Sequence, residues 1–529
     1  MLKNNPSCPE NWDKSCGQCH YYELMRVKSS LMYTNIGMIK KIQRSWQGDT
    51  ENLYSVSNST SLFDEHGNPL FINPISKLNN LGAILYRKFC FKCHIGYEEK
   101  DVRLSGCALC HFKYDKDKGY SHKLVPIPSQ DVCLICHNRS GRIGLSYTGF
   151  YETNNLVPTD KYGPKYMLSG GRSLVKIKKD IHFEKGMECV DCHTSRDIMG
   201  DGYSYFDKSD QVEISCSDCH GSYKKYPTTK EVIGDGKLPI IESKNYHIKI
   251  MQGFNMVLTK KNRMYSNVFY KDNKIFVIGK RSGKLFEAPI ITNTKYHNIY
   301  GHDRLKCIVC HSRVVPQCFG CHTYYYRDIL GYDGIKKEIS YGRFLEKEDF
   351  RRGYPFYLGV DRNNKVTTLT PGCQTFVYIK AKNKWIKQGY VARYKGSRRL
   401  RFAPLFSHNI KKESISCIDC HLSFEMLGFG KGVFLEDGRF ETIYLGNKRY
   451  PLEGILSLKK NKDLIPQQAL TSGARPFNTQ EIKRILKVSQ CLVCHGKDDE
   501  IYKKPLDYNK LPFCLKSYER LYRDLSKDR

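Results

Sequence analysis

The five-residue word Cys-x-x-Cys-His constrains this chain more than any other feature, because it recurs ten times. The cysteines are Cys16 and Cys19, Cys90 and Cys93, Cys107 and Cys110, Cys133 and Cys136, Cys189 and Cys192, Cys216 and Cys219, Cys307 and Cys310, Cys318 and Cys321, Cys417 and Cys420, and Cys491 and Cys494. The histidines that close the ten words are His20, His94, His111, His137, His193, His220, His311, His322, His421 and His495. Chance placement at this composition would give about 0.03 copies, so the pattern is built, not accidental. Two thiols three apart on one helical turn can each add across a haem vinyl group. The next histidine then presents its imidazole to the iron from the proximal side, which is the logic of c-type haem attachment. Zinc ribbons pair one CxxC with another and do not need a histidine after each. Structural disulfides impose no such rule either.

With these motifs in place, the chain resembles the multihaem c-type cytochromes, as a decahaem member, over residues 16–495. The block His182-Phe-Glu-Lys-Gly-Met-Glu-Cys-Val-Asp-Cys-His-Thr194, followed by Met199-Gly-Asp-Gly202, is similar to segments of large respiratory multihaem cytochromes. These include relatives of octahaem tetrathionate reductase and hydroxylamine oxidoreductase. The chain departs from that group in having ten sites and no CxxCK variant, which marks the active haem in some multihaem nitrite reductases. The resemblance implies ten covalently attached haem c groups and export to the periplasm, the cell surface or the medium. The segment Met1-Leu-Lys-Asn-Asn-Pro-Ser-Cys8 has no apolar run of a signal peptide, so a leader is expected to lie upstream or to have been removed. No run of about eighteen apolar residues is present, so no transmembrane helix is expected.

The chain's 529 residues have a negative mean hydropathy, −0.54. Haem changes what such a chain can do, because each porphyrin brings apolar surface for side chains to cover. The expected fold is α+β and haem-packed: short helices and loops around stacked haems, with small inserted β-hairpins and sheets. The formal charge of +32 falls to roughly +22 oxidised or +12 reduced once two propionates per haem are counted. Lys and Arg are spread along the chain, so they read as propionate partners and solvated surface. Nucleic-acid binding is not implied; a redox partner protein, with an acidic face, is the partner such a surface would meet.

The motif spacing divides the chain into a tetrahaem region at 1–140, a dihaem region at 141–225, and a haem-free β-rich insertion at 226–300. A dihaem doublet follows at 301–330, then a haem-free β-containing insertion at 331–410. A dihaem region with a terminal helix closes the chain at 411–529. The stretch from His20 to Trp46 reads as helical and 47–80 as loop. Residues 141–180 read as a connector. A short strand-like piece is expected after Gly200-Asp-Gly202. Two β-prone runs around Lys271-Asp-Asn-Lys274 read as a hairpin, extended by Leu285-Phe286. Phe376–Ile379, Gly389–Arg393 and a hairpin within 432–444 are the remaining strand expectations. Asn478-Thr-Gln-Glu481 opens a helix that delivers the last motif. The short spacer before Cys318 should hold two haems close together.

The chain has seventeen histidines, and seven lie outside the motifs: His66, His122, His182, His247, His297, His302 and His408. A low-spin electron carrier usually needs a second strong axial ligand, and histidine is the common one. All seven are candidate distal ligands. His182, His302 and His408 stand out because each sits just upstream of a motif and should serve a haem other than the one that motif binds. Seven cannot complete ten irons, so at least three sites need Met, Lys, Tyr, water, or a neighbour's histidine. Met187, Met199 and Met426 lie near motifs, but packing is the better account of each. Cys8, Cys373 and Cys514 lie outside the motifs; a Cys8–Cys514 bridge is one arrangement of that odd number.

Three functions fit. Electron transfer along a row of haems needs nothing beyond the features seen. A reductase or oxidase of a small nitrogen or sulfur oxyanion needs one haem with an open face; Tyr324-Tyr-Tyr-Arg327 could line such a pocket, but aromatic packing over haem is the better account of that segment. A subunit of a polymeric cytochrome wire, reached by self-assembly, would borrow its missing histidines from a neighbour.

Overall fold

Short helices carry the motifs, and small sheets stand behind them. The computed structural model describes residues 6–7, 9–39, 42, 80–93, 106–115, 119–138, 143–153, 165–168, 172–232, 254–294, 297–351, 353–371, 375–390, 393–394, 397–398, 402–430, 432–434, 440–442, 455–458, 464–466 and 473–492. Mixed helix and strand of this kind is an α+β architecture, with no closed barrel among the described residues.

Most motifs form one tight helical turn: Cys16–Gln18 and Cys90–Cys93 as 3-10 helix, and Cys107–His111, Cys189–Cys192, Cys216–His220, Cys307–His311 and Cys417–His421 as α-helix. Helices this short need their ends satisfied. In three of them the residue before the second cysteine is an aspartate that turns back to the cap. Asp191 accepts from Glu188 N at 2.8 Å, Asp218 from Ser215 N at 2.8 Å, and Asp419 from Ser416 N at 3.0 Å. Ser416 completes the box by accepting from Asp419 N at 3.0 Å.

The copy at Cys318–His322 differs. Its backbone lies in the long strand Gln317–Asp333, with Cys321 opposite Glu348 and Thr375, and His322 opposite Lys347 and Phe376. The helical turn expected for every copy is not formed here. The following Thr323-Tyr-Tyr-Tyr326 is β-branched and aromatic, and strand pairing on both sides wins. This strand also runs through position 330, where the doublet was expected to end.

The hairpin expected around Lys271–Lys274 is present, with Asp272 and Asn273 at φ +49° and +60°, as a two-residue hairpin turn needs. It sits in a five-stranded antiparallel meander ordered Leu285–Ala288, Lys274–Ile278, Met264–Lys271, Asn255–Leu258, Thr229–Glu231. Gly432–Phe434 and Phe440–Thr442 pair as expected. Phe376–Ile379 falls in strand Thr375–Ala381, and Gly389 and Tyr390 end strand Lys384–Tyr390.

Two expectations fail, and a third, the helical stretch after His20, holds only in pieces. The stretch after His20 is broken into Tyr21–Ser29 and Leu31–Thr34, because extended Ser30 caps the second piece and left-handed Asn35 ends it. The connector at 141–180 holds a three-stranded sheet of Phe150–Thr153, Arg172–Lys176 and Lys165–Leu168. The piece between Cys189 and Cys216 forms the helices Ser195–Met199 and Lys208–Gln211, each capped by a side chain, and no strand. The loop expected at 47–80 lies outside the described residues except for Asn80, which caps the helix Leu81–Lys88.

The sheets back the motif helices directly. The five-stranded sheet buries Val257, Tyr265, Val268, Ile275 and Val277 against Met187, with Cys192 and Cys219 packed on the same cluster. The largest cluster joins Val309 of the Cys307 helix to Phe356, Leu358, Met426, Leu427 and Phe429, and to Ile482 and Leu486 of the helix Thr479–Cys491. Met187 and Met426 are therefore core residues, and Met199 packs beside Trp12.

Candidate haem-binding site

The site is best assembled from its imidazoles. Seven motif histidines have described side chains: His20, His111, His137, His193, His220, His311 and His421. His94, His495, Cys494, His66 and His247 lie outside the described residues, as do Cys8, Cys373 and Cys514. For Cys93, Cys318, Cys321, His322 and His122 only the backbone is described.

Four motif imidazoles each face a non-motif imidazole. His193 faces His408 with ring centroids 6.3 Å apart and planes within 9°. His220 faces His182 at 6.2 Å, His311 faces His297 at 6.1 Å, and His421 faces His302 at 6.1 Å. Direct stacking would bring rings closer. Two imidazoles bonded to one metal at about 2.0 Å through Nε2 would hold their nitrogens about 4 Å apart, with centroids about 6.3 Å apart. The observed spacing fits a shared metal.

The other ring nitrogen makes the same argument. In all eight histidines Nδ1 is hydrogen-bonded to an oxygen. His220 donates to Pro289 O at 2.8 Å, His311 to Lys411 O at 3.2 Å and His421 to Ile485 O at 2.8 Å. His302 donates to Tyr300 O at 3.1 Å and His408 to Phe406 O at 3.0 Å. His182 donates to Asp180 Oδ1 and His193 to Asp197 Oδ2, both at 3.0 Å. The Thr294 hydroxyl donates to Ile291 O, which leaves it an acceptor for His297 Nδ1 at 2.7 Å. Each ring thus carries its proton on Nδ1 and keeps the Nε2 lone pair for a ligand bond. Burial pushes His408 down to about 4, helped by neighbouring His193. It also lowers His220, His297, His302 and His421. These rings are neutral at neutral pH, the form that binds metal. His111 has the same proton arrangement, Nδ1 to Val125 O at 3.0 Å.

The motif cysteines come together across the sequence. The Cys107 thiol meets that of Cys16, Cys133 that of Cys189, and Cys216 that of Cys307. Burial drives Cys110 and Cys310 up to about 11, so both are neutral thiols. The motif cysteines whose side chains are described form no disulfide. A connected cavity of about 4770 Å³ is lined by residues of nine of the ten motifs and by His182, His297, His302 and His408. An ordinary ligand pocket holds about 300–1,000 Å³, so this space suits a row of large flat groups. Thiols in CxxC pairs, imidazoles paired about 6 Å apart with Nδ1 engaged and Nε2 left for a ligand, and apolar walls form a donor set that fits haem c.

Tyr324, Tyr325 and Tyr326 do not form one face. Tyr325 is buried against Leu85, Phe344 and Ile379, while Tyr324 and Tyr326 lie on the opposite side beside Trp385. Asp180 and Asp197, and the carbonyls that orient the other rings, carry no signal in the motif itself. The aspartates in Cys-x-Asp-Cys-His were legible in principle as cap partners.

The family model for cytochrome c554 and c-prime matches residues 132–221. That span covers the motifs at Cys133, Cys189 and Cys216, and His182. It supports a c-type cytochrome with covalently bound haem c, of the electron-transfer kind. No curated protein and no solved structure matches the chain. No helix among the described residues is long and apolar enough to cross a membrane.

Proposed function

We propose that the chain is an exported decahaem c-type cytochrome that moves electrons along a row of closely spaced haems. The observation that carries this reading is the set of four facing imidazole pairs. In it, His193 and His408, His220 and His182, His311 and His297, and His421 and His302 would hold four haem irons. The adjoining CxxC cysteines are their thioether anchors. Haem c, when bound, supplies a one-electron ferric/ferrous couple. The chain's own residues do the rest. Nδ1 hydrogen bonds hold each ring in one tautomer and one orientation. Apolar clusters behind the motif helices exclude water and keep the sites rigid, which favours electron exchange with little rearrangement.

His182, His302 and His408 each face the histidine of a motif other than the next one downstream, and His297 faces that of its own downstream motif. Such cross-linking between motifs suits a row of sites. Support for a row also comes from the thiols that meet, Cys16 with Cys107, Cys133 with Cys189 and Cys216 with Cys307, and from those near enough to feel each other's charge, Cys110 with Cys133 and Cys310 with Cys417. Read this way, the haems follow one another in nearly their sequence order. His66, His122 and His247 are the remaining distal candidates.

Pyridine haemochrome assay with intact mass should give ten haems per chain; eight or fewer in fully matured protein would overturn the count. Replacing His302 with Ala should convert one low-spin haem to high spin. An unchanged spectrum would mean the residue is packed and not ligating.

A further inference from the structure

We infer that Asp180 and Asp197 are positioning residues that lower the reduction potentials of two neighbouring sites, those of the His182/His220 and His193/His408 pairs. The inference rests on the ligand reading above. Of the eight imidazoles in the four pairs, six give their Nδ1 proton to neutral oxygens. Only His182 and His193 give it to carboxylates, at 3.0 Å each. Both carboxylates are nearly sealed from solvent, Asp180 at 2% and Asp197 at 1% side-chain exposure.

Each carboxylate is held in place by backbone donors. Asp180 accepts from His182 N at 2.7 Å and Ile410 N at 2.6 Å. Asp197 accepts from Glu213 N at 2.5 Å. Among the described residues neither forms an ion pair with Lys or Arg; the nearby cations go elsewhere. Arg263 binds Asp201 and Glu213, and Lys280 donates to the carbonyls of Val190 and His193. Lys260 and Lys280 feel the charge of Asp197 at longer range, but the direct side-chain contact of each carboxylate is its imidazole.

An anionic acceptor draws the Nδ1 proton and leaves electron density in the ring. That makes Nε2 a stronger donor and favours the more positive oxidation state of a metal bound there. The couple is one-electron, ferric to ferrous, and no bond is made or broken. The low dielectric around the buried carboxylates preserves the effect. The two sites are adjacent, since Cys192 and Cys219 pack on one cluster. The other two pairs, oriented by Tyr300 O, Ile485 O, Lys411 O and the Thr294 hydroxyl, have no such charge at Nδ1.

The experiment is a spectroelectrochemical titration of the full-length haem-loaded protein and of Asp197→Asn, Asp180→Asn, Asp197→Glu and Thr294→Val. Removing an outer hydrogen-bond partner typically changes metal affinity 10- to 100-fold. Because that loss falls on the ferric state, it becomes an upward shift of about 59 to 118 mV at 59 mV per tenfold. Each Asn variant should raise one component by this amount, with every haem still low spin. Asp197→Glu should restore most of the original value, and Thr294→Val should move no component comparably. Asn keeps the helix-capping acceptor at position 180, so folding is protected there. The unmutated ferric protein gives a second readout: two of the four bis-histidine EPR signals should show a larger tetragonal splitting than the other two. Unshifted potentials, equal shifts at all sites, or four alike signals would overturn the inference. Loss of low-spin signal in His408→Ala and His302→Ala tests the ligand reading separately. If those variants stay fully low spin, that reading fails whatever the potentials do.

Discussion

Removing one charge at Glu481 should loosen the helix that closes the site at His421. Glu481 sits in the first turn of Thr479–Cys491 with its side chain 6% exposed. It accepts from Arg475 Nη1 at 2.6 Å, from Arg304 Nη1 at 3.0 Å and from Asn478 N at 2.9 Å. Burial alone would raise its pKa, but Arg475, the Asn478 N–H and Arg304 together hold it at about 2. The ordinary value is 4.5, so the depression is about 2.5 units, or about 3.4 kcal/mol at 1.36 kcal/mol per unit. Arg304 and Arg475 are 34% and 40% exposed, so solvent screening reduces this to about 2 kcal/mol. A depressed carboxylate contributes stability that is present above its unfolded pKa and lost as pH falls through its folded pKa. The contribution is therefore full above about pH 5 and gone by about pH 2. Glu481→Gln keeps the cap acceptor and removes the charge. At pH 7 the variant should be less stable by about 2 kcal/mol in denaturant. Amides of Ile485 and Leu486 should exchange faster, since Ile485 O holds His421. At pH 2 the difference should vanish. A deficit under about 0.5 kcal/mol at pH 7, or one equally large at pH 2, would refute the reasoning.

The buried pair of Arg87 and Asp333, 2.7 Å apart and 3% and 1% exposed, ties the helix before Cys90 to the long strand. Arg87→Ala should cost about 3–5 kcal/mol by stranding Asp333, whereas Arg87→Met with Asp333→Leu should be near neutral. Denaturation midpoints decide this, and a mild single variant would contradict it. Cyanide or nitric oxide added to dilute haem-loaded protein should bind little if the chain is a carrier with every iron six-coordinate. Prompt binding at one or two haems would instead favour a catalytic site, and binding lost on polymerisation would favour a wire.

How much of this was legible beforehand depends on distance along the chain. The hairpin at Lys271–Lys274 was readable because its turn chemistry is local: Asp272 and Asn273 accept positive φ at little cost. The cap of the last helix was readable for the same reason, with Asn478 and Glu481 three residues apart. The sheet in 141–180 was missed because its strands are short and carry no clean alternation. The turn at Cys318 was misread because strands paired on both sides outweigh a five-residue preference.

The sequence by itself determined the inventory: ten CxxCH words, the ten histidines that close them and seven more that could face them. It did so because thioether attachment needs its residues within one turn, so the requirement is written locally. Only the tertiary structure decided that His408 faces His193, that His302 faces His421, and that buried carboxylates stand behind two rings. The imidazole pairings join separate segments of the chain, and five of the eight rings are oriented by backbone carbonyls that every residue has. Nothing in a side-chain pattern can mark which carbonyl will meet which imidazole; the packing of sheets behind the motif helices sets that.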